Sequence, residues 1–313
     1  MHFYGLLYID GNDAPSINLK NSSFSARLTT YVQCAKTLAR TLTSGGDHFT
    51  LLTNNHSLVS EISDEIGIRV VEIPFTTVIP QGIPFYSAHF KLDVFKYLSH
   101  SDDEYSVFCD LDVLALNATP DALTRAAIGG LPLVYDITSQ VGPVYGAHQL
   151  LRTLNAVEGV PDESYAWYGG EYLSGSPSFF SALYSNCISM LPRYIDNLAL
   201  LHHIGDEAIV SSAIRRMRRH GTEIADAGQL GIVARYWNYP VRHKQTPLTK
   251  LAHCMLLHLP SDKRFIANLS DQSINSREEV RLRYLRYNRS PRNRLLYLAK
   301  AARNALSRRA KDE

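Results

Sequence analysis

Along the first hundred residues, short β-branched and aromatic runs alternate with segments of helical period, a pattern that predicts a sheet covered by helices. Residues 3–9 read as a first strand. Residues 25–42 place apolar side chains at 28, 32, 35, 38, 39 and 42 on one helical stripe, which Gly45 and Gly46 end. A second strand at 48–53, a helix at 56–66 and a third strand at 68–73, closed by Pro74, complete a β-α-β-α-β order that predicts parallel pairing. Three prolines make 74–85 a loop, after which 86–98 resumes the helical period. Residues 105–109 then form a buried strand that delivers Asp110-Leu111-Asp112 at its carboxyl end, where open α/β sheets hold ligands.

Beyond this point the periodicity is weaker. Strands are predicted at 131–135 and 165–172, mostly loop at 138–163, helices at 177–191 and 206–220, and a late apolar strand at 251–259. Arg215, Arg216, Arg218 and Arg219 at the end of the 206–220 helix suit its dipole. Ser290-Pro291 reads as an N-cap with a first-turn proline. Leu295, Leu298, Ala302, Ala305 and Leu306 then recur on one side of a short basic amphipathic helix. No repeat of about 20–50 residues is visible.

The composition of the 313 residues, 45% hydrophobic and 20% charged, supports a large core. A net charge of +2 argues against a chain built throughout for nucleic acid, and no nucleic-acid partner is expected. The charge is nevertheless uneven: residues 277–313 hold twelve Lys and Arg against four Asp and Glu, +8, so residues 1–276 carry −6. A basic tail on an acidic body points to a polyanion or an anionic membrane surface, against a plain solvated helix or an RNA contact. The start has no signal-peptide pattern and no window approaches 18 uncharged apolar residues, so a cytoplasmic chain, peripheral on the inner face of the membrane, is expected. Cys34, Cys109, Cys187 and Cys254 are widely spaced and read as reduced core thiols.

Two carboxylates directly after an apolar strand are the main chemical signal. Desolvating them unpaired costs several kcal/mol or more, so a positive partner is required. A divalent cation with oxygen ligands, Mn²⁺ or Mg²⁺, that also holds a diphosphate is the economical choice; capping of the next turn is the plainer alternative.

With Asp110 and Asp112 in that position, the chain resembles the nucleotide-sugar glycosyltransferases of the GT-A fold, nearest in pattern to retaining families six and eight. The resemblance covers roughly residues 1–265 and implies an α/β fold, a GT-A-like mostly parallel sheet flanked by helices. Residues 266–313 are left as a basic helical C-terminal tail. It further implies that Asp110 and Asp112 bind the metal, and that Lys91, in the helix Ser87-Ala88-His89-Phe90-Lys91-Leu92-Asp93, lies near the nucleotide.

Trp167-Tyr168-Gly169-Gly170-Glu171-Tyr172-Leu173-Ser174-Gly175-Ser176 is similar to the family-six segment whose glycines let the backbone approach donor and acceptor, Gly169 and Gly170 above all; Gly169, Gly170 and Gly175 suit a turn or bulge equally well. Gly205-Asp206-Glu207 resembles the acidic pair that opens a helix in these families. There the first acid bonds donor-sugar hydroxyls and the second lies near the anomeric carbon, while acids in a first turn also serve the helix dipole.

His258-Leu259-Pro260-Ser261-Asp262-Lys263 is similar to the late family-eight motif in which a histidine completes the metal site and a lysine meets the diphosphate. It lacks that motif's glycine, is one residue shorter, and has Arg264-Phe265 in place of Pro-Trp. His258 is otherwise a histidine at a strand end. Tyr8 and Asp10, ending the first strand, stand where GT-A proteins contact the nucleobase and ribose, or are ordinary strand-end residues.

The expected function is transfer of a hexose from a UDP-sugar donor to a saccharide or glycolipid acceptor, with retention inherited from the resemblance. Two other readings stand beside it. One is a haloacid dehalogenase-type phosphatase using Asp110 and Asp112, with later segments at 133–138 and 205–207. The other is a nucleotide-sugar-binding protein without catalysis.

Overall fold

The first strand, β1 (His2–Leu7), buries side chains on both faces, which places it inside a sheet and not at its edge. The computed structural model describes residues 1–10, 23–63, 68–270, 272–291, 293, 295 and 297–302. After β1, α1 (Phe24–Thr43) starts at Ser23, whose Oγ accepts from Ala26 N at 3.3 Å. β2 (His48–Thr53), α2 (His56–Ser63) and β3 (Arg69–Glu72) follow, and β3, β2 and β1 pair in parallel as expected. The last residues of the predicted helix at 56–66 lie outside the described residues.

The expected helix at 86–98 divides into a 3₁₀ turn, Tyr86–Phe90, and α3 (Lys91–Leu98), so Lys91 opens the α-helix. β4 (Ser106–Cys109) is wholly buried and parallel to β1. The chain turns at 110–112, and β5 (Val113–Ala115) leaves the main sheet for a second one. α4 (Asp121–Ile128) and β6 (Leu133–Asp136) come next.

Residues 138–163 are not mostly loop. They carry α5 (Thr138–Tyr145) and α6 (Ala147–Glu158), separated at Gly146, whose φ of 81° favours glycine. Pro143 inside α5 and the flanking glycines mask the helical signal, but Leu150, Leu154 and Val157 of α6 are buried at helical spacing.

β7 (Tyr168–Gly175) starts later than predicted and runs antiparallel to both β4 and β6, inserting between them. The rest comprises α7 (Pro177–Asp196), α8 (Asp206–Arg219), β8 (Ala225–Asp226), β9 (Val233–Arg235), α9 (Leu248–Leu251) and β10 (Leu256–His258), then α10 (Lys263–Asn268) and α11 (Arg277–Asn288). The late strand is thus shorter than 251–259, because α9 and a turn use its first residues. The main sheet has the order β3-β2-β1-β4-β7-β6-β8, and the second sheet β5-β10-β9.

Phe108 of β4 meets Phe95 of α3, which meets Phe180 of α7, so aromatic contacts run from sheet to helices. α1 packs along α10. Arg215 is not spent on the dipole of α8: it is buried against Glu158, with Nε–Oε2 at 2.8 Å. All four cysteines are buried and free. Among the described residues no helix is long and apolar enough to cross a membrane. After Ser290, whose Oγ accepts from Asn293 N at 3.3 Å, the described residues are again helical, with Leu295 and Leu298 exposed.

Candidate functional site

Strands of both sheets and the first turns of three helices, α3, α8 and α10, deliver the acids and bases of the site. Asp110 leaves β4, and its N donates to Glu171 O of β7 at 3.2 Å. Asp112 enters β5, and its O accepts from Leu259 N at 2.8 Å. Val113 of β5 pairs with His258 of β10, and His258 pairs with Arg235 of β9. Residues distant in sequence therefore meet at the carboxyl end of β4.

Each aspartate gives one oxygen to a lysine and turns the other toward His258. Lys91 Nζ lies 2.8 Å from Asp110 Oδ1, and Lys263 Nζ binds Asp112 Oδ2. Asp112 Oδ1 is 3.1 Å and Asp110 Oδ2 4.0 Å from His258 Nε2. On its other side, His258 Nδ1 meets Glu171 Oε1 at 3.2 Å. Asp112, His258, Lys91 and Lys263 are buried; the Asp110 side chain, at 28% exposure, is the one open to solvent.

Burial and the Asp112 charge push the Asp110 carboxyl up although Lys91 opposes them. Burial also acts against ionisation of Asp112, but Lys263 and His258 outweigh it and hold that carboxyl well below the usual range. Burial would lower the His258 imidazole, yet Asp112 and Glu171 push it up to about 9.

Lys91 Nζ also donates to Asp206 Oδ2 at 2.8 Å and Gly170 O at 2.9 Å, so its three N–H groups all have protein acceptors. Asp206 opens α8. Glu207 follows, accepting from Arg235 Nη2 at 2.8 Å and Trp167 Nε1 at 2.9 Å. Gly170 is required by packing, since a Cβ there would overlap Asp206 Oδ2 and sit 2.9 Å from Lys91 Nζ; at Gly169 it would overlap the Glu171 carboxylate.

Tyr8 is half-buried with its ring stacked on Phe90 at 3.8 Å, beside the residue that precedes Lys91. Asp10 is half-buried at the end of its described segment.

The pattern of the chain did not single out Glu171 or Arg235. Glu171 lies in the segment 167–176, read there for its glycines, although a charged residue inside a wholly buried strand needs a partner just as Asp110 and Asp112 do. Arg235, ending a short strand far along the chain, offered no local signal.

The residues fit a divalent cation. Asp110, Asp112 and His258 present ligand atoms that all lie within 4.8 Å of one another. The connected network contains five carboxylates (Asp110, Asp112, Glu171, Asp206, Glu207) and three cations from lysine and arginine (Lys91, Arg235, Lys263); a protonated His258 offsets part of the excess negative charge, and a divalent cation that takes the place of its Nε2 proton would offset the rest.

No protein-family model matches the chain, and no curated protein does. Among solved structures, galactosyltransferase LgtC in complex with donor and acceptor sugar analogs aligns with 90% of this chain and 100% of its own, at 12% identity and a TM-score of 0.50. An active-site mutant of LgtC aligns with 88% of this chain and 97% of its own, at 13% identity and a TM-score of 0.49. The first alignment shows a shared fold, the GT-A-like α/β arrangement with a mostly parallel sheet. Asp136, within the 133–138 segment of the phosphatase reading, lies on β6, two strands from β4, and accepts from Thr138 N at 2.8 Å.

Proposed function

We propose that the chain is a metal-dependent glycosyltransferase that moves a hexose from a UDP-sugar to a saccharide acceptor, with retention. The observation that carries the reading is the convergence of Asp110 Oδ2, Asp112 Oδ1 and His258 Nε2 at the carboxyl end of a central strand, in a fold shared with a galactosyltransferase. These three residues would hold Mn²⁺ or Mg²⁺, and the cation supplies stabilisation of the negative charge that develops on a departing diphosphate.

In this reading Lys91 and Lys263 keep positive charge beside the diphosphate, and Tyr8 and Asp10 meet the nucleoside. Gly169 and Gly170 line the donor with backbone. Asp206 positions the donor sugar. Glu207 stabilises the oxocarbenium-like centre, while the departing UDP accepts the proton of the acceptor hydroxyl.

A panel of nucleotide sugars incubated with Mn²⁺ and no acceptor tests this. Slow UDP release from at least one UDP-hexose, abolished by a chelator, is the expected result. UDP binding without turnover of any donor would leave a binding protein. Hydrolysis of a generic phosphate ester without UDP release would return the phosphatase.

The acceptor belongs, on this reading, to a cell-surface glycan or a lipid-linked saccharide reached at an anionic membrane. Support comes from Leu295, Tyr297 and Leu298, exposed in a basic segment. Truncation after Arg289 spares buried Val280 and Tyr284. It is expected to reduce co-sedimentation with anionic vesicles, most visibly at low salt. Equal sedimentation of both chains would remove the membrane contact.

A further inference from the structure

Glu171 and Arg235 have no part in the reaction just described, yet both are charged and almost out of solvent, their side chains 1% and 9% exposed. Burying an ion pair costs several kcal/mol per ion, and apolar residues of similar volume often serve stability as well or better. Stability alone therefore does not explain a pair at this place.

Its geometry does. Glu171 Oε1 lies 2.6 Å from Arg235 Nε and 3.2 Å from His258 Nδ1, and Oε2 lies 2.6 Å from Arg235 Nη2. The same Nη2 donates to Glu207 Oε1 at 2.8 Å. The two-point grip fixes the plane of the Glu171 carboxylate. An imidazole that donates from Nδ1 to a carboxylate keeps that proton when Nε2 gives up its own to a metal ion, so the nitrogen facing Asp110 and Asp112 is the one freed for the cation. Gly169 keeps the space this carboxylate needs.

We infer that Glu171 and Arg235 are positioning residues that lock the His258 ring for cation binding and tie it to Glu207, so that the metal site and the sugar-facing carboxylate are held as one unit. The inference rests on the metal reading of the site.

The test compares Mn²⁺ affinity, from the electron paramagnetic resonance signal of free Mn²⁺, in the parent and in the double variant Glu171→Leu/Arg235→Met, which removes both charges together. Folding is checked by thermal unfolding. Affinity is expected to fall about 10–100-fold in the double variant, as it does when the partner of a ligating histidine is lost. Glu171→Gln, which keeps an acceptor for Nδ1–H, is expected to retain most of it.

Should the apolar pair not fold, Arg235→Lys keeps the charge and loses the two-point grip, and weaker Mn²⁺ binding is again expected. A folded double variant, or Arg235→Lys in its place, that binds within about twofold of the parent overturns this inference alone. A parent that takes up no Mn²⁺ overturns the metal reading, and the inference with it.

Discussion

Asp110→Ala and Asp112→Ala are each expected to lower divalent-dependent release of UDP from its donor about a thousandfold. Loss of a cation's charge stabilisation gives up several kcal/mol, and about 4 kcal/mol corresponds to three decades in rate. The two variants should then part company in stability. In Asp110→Ala, Lys91 keeps Asp206 Oδ2 and Gly170 O as acceptors, and the lost carboxylate was the more exposed one. In Asp112→Ala, buried Lys263 is left with Pro260 O, a weaker partner than an anion. Breaking a buried pair from one side costs about 3–5 kcal/mol. Thermal unfolding should show a near-parental midpoint for the first variant and a clear fall for the second. Full Mn²⁺-dependent turnover in both would refute the assignment of the acids.

The second large effect is on the fold. Arg277 begins α11 in the basic region, but its guanidinium is buried. Nη2 reaches Asp47 Oδ2 at 2.5 Å and Leu42 O at 2.9 Å, Nε reaches Thr41 O at 2.8 Å, and Nη1 reaches Asn117 O at 3.0 Å. A Cβ at Gly45 would overlap it. Arg277→Ala removes donors from three carbonyls and a partner from buried Asp47, which keeps the terminal amine of Met1 at 3.0 Å. A loss of about 3 kcal/mol is expected, toward the lower end for a broken buried pair. Denaturant unfolding that shows less than about 1 kcal/mol, the range of an exposed pair, would mean that this arginine behaves as a surface residue.

What local pattern could and could not reveal follows from the range of the interactions involved. Asp110 and Asp112 were legible because the apolar strand before them is adjacent in sequence, so the need for a charge partner can be read within eight residues. The helices at 138–158 were hidden by Gly142, Pro143 and Gly146, whose preferences oppose a helix that burial of Val141, Leu150, Leu154 and Val157 supports. Glu171 and Arg235 were missed because each makes sense only opposite the other, on strands of different sheets.

By itself, then, the chain's periodicity determined the alternation of strands and helices through β4, and its charge pattern pointed to a positive partner for two neighbouring acids. Only the tertiary structure decided which partners meet them. Pairing across β5, β10 and β9, and the antiparallel entry of β7 beside β4, bring His258, Arg235 and Glu171 to Asp110 and Asp112. Strand register is a long-range property, set by packing of whole faces, and no stretch of local sequence encodes it.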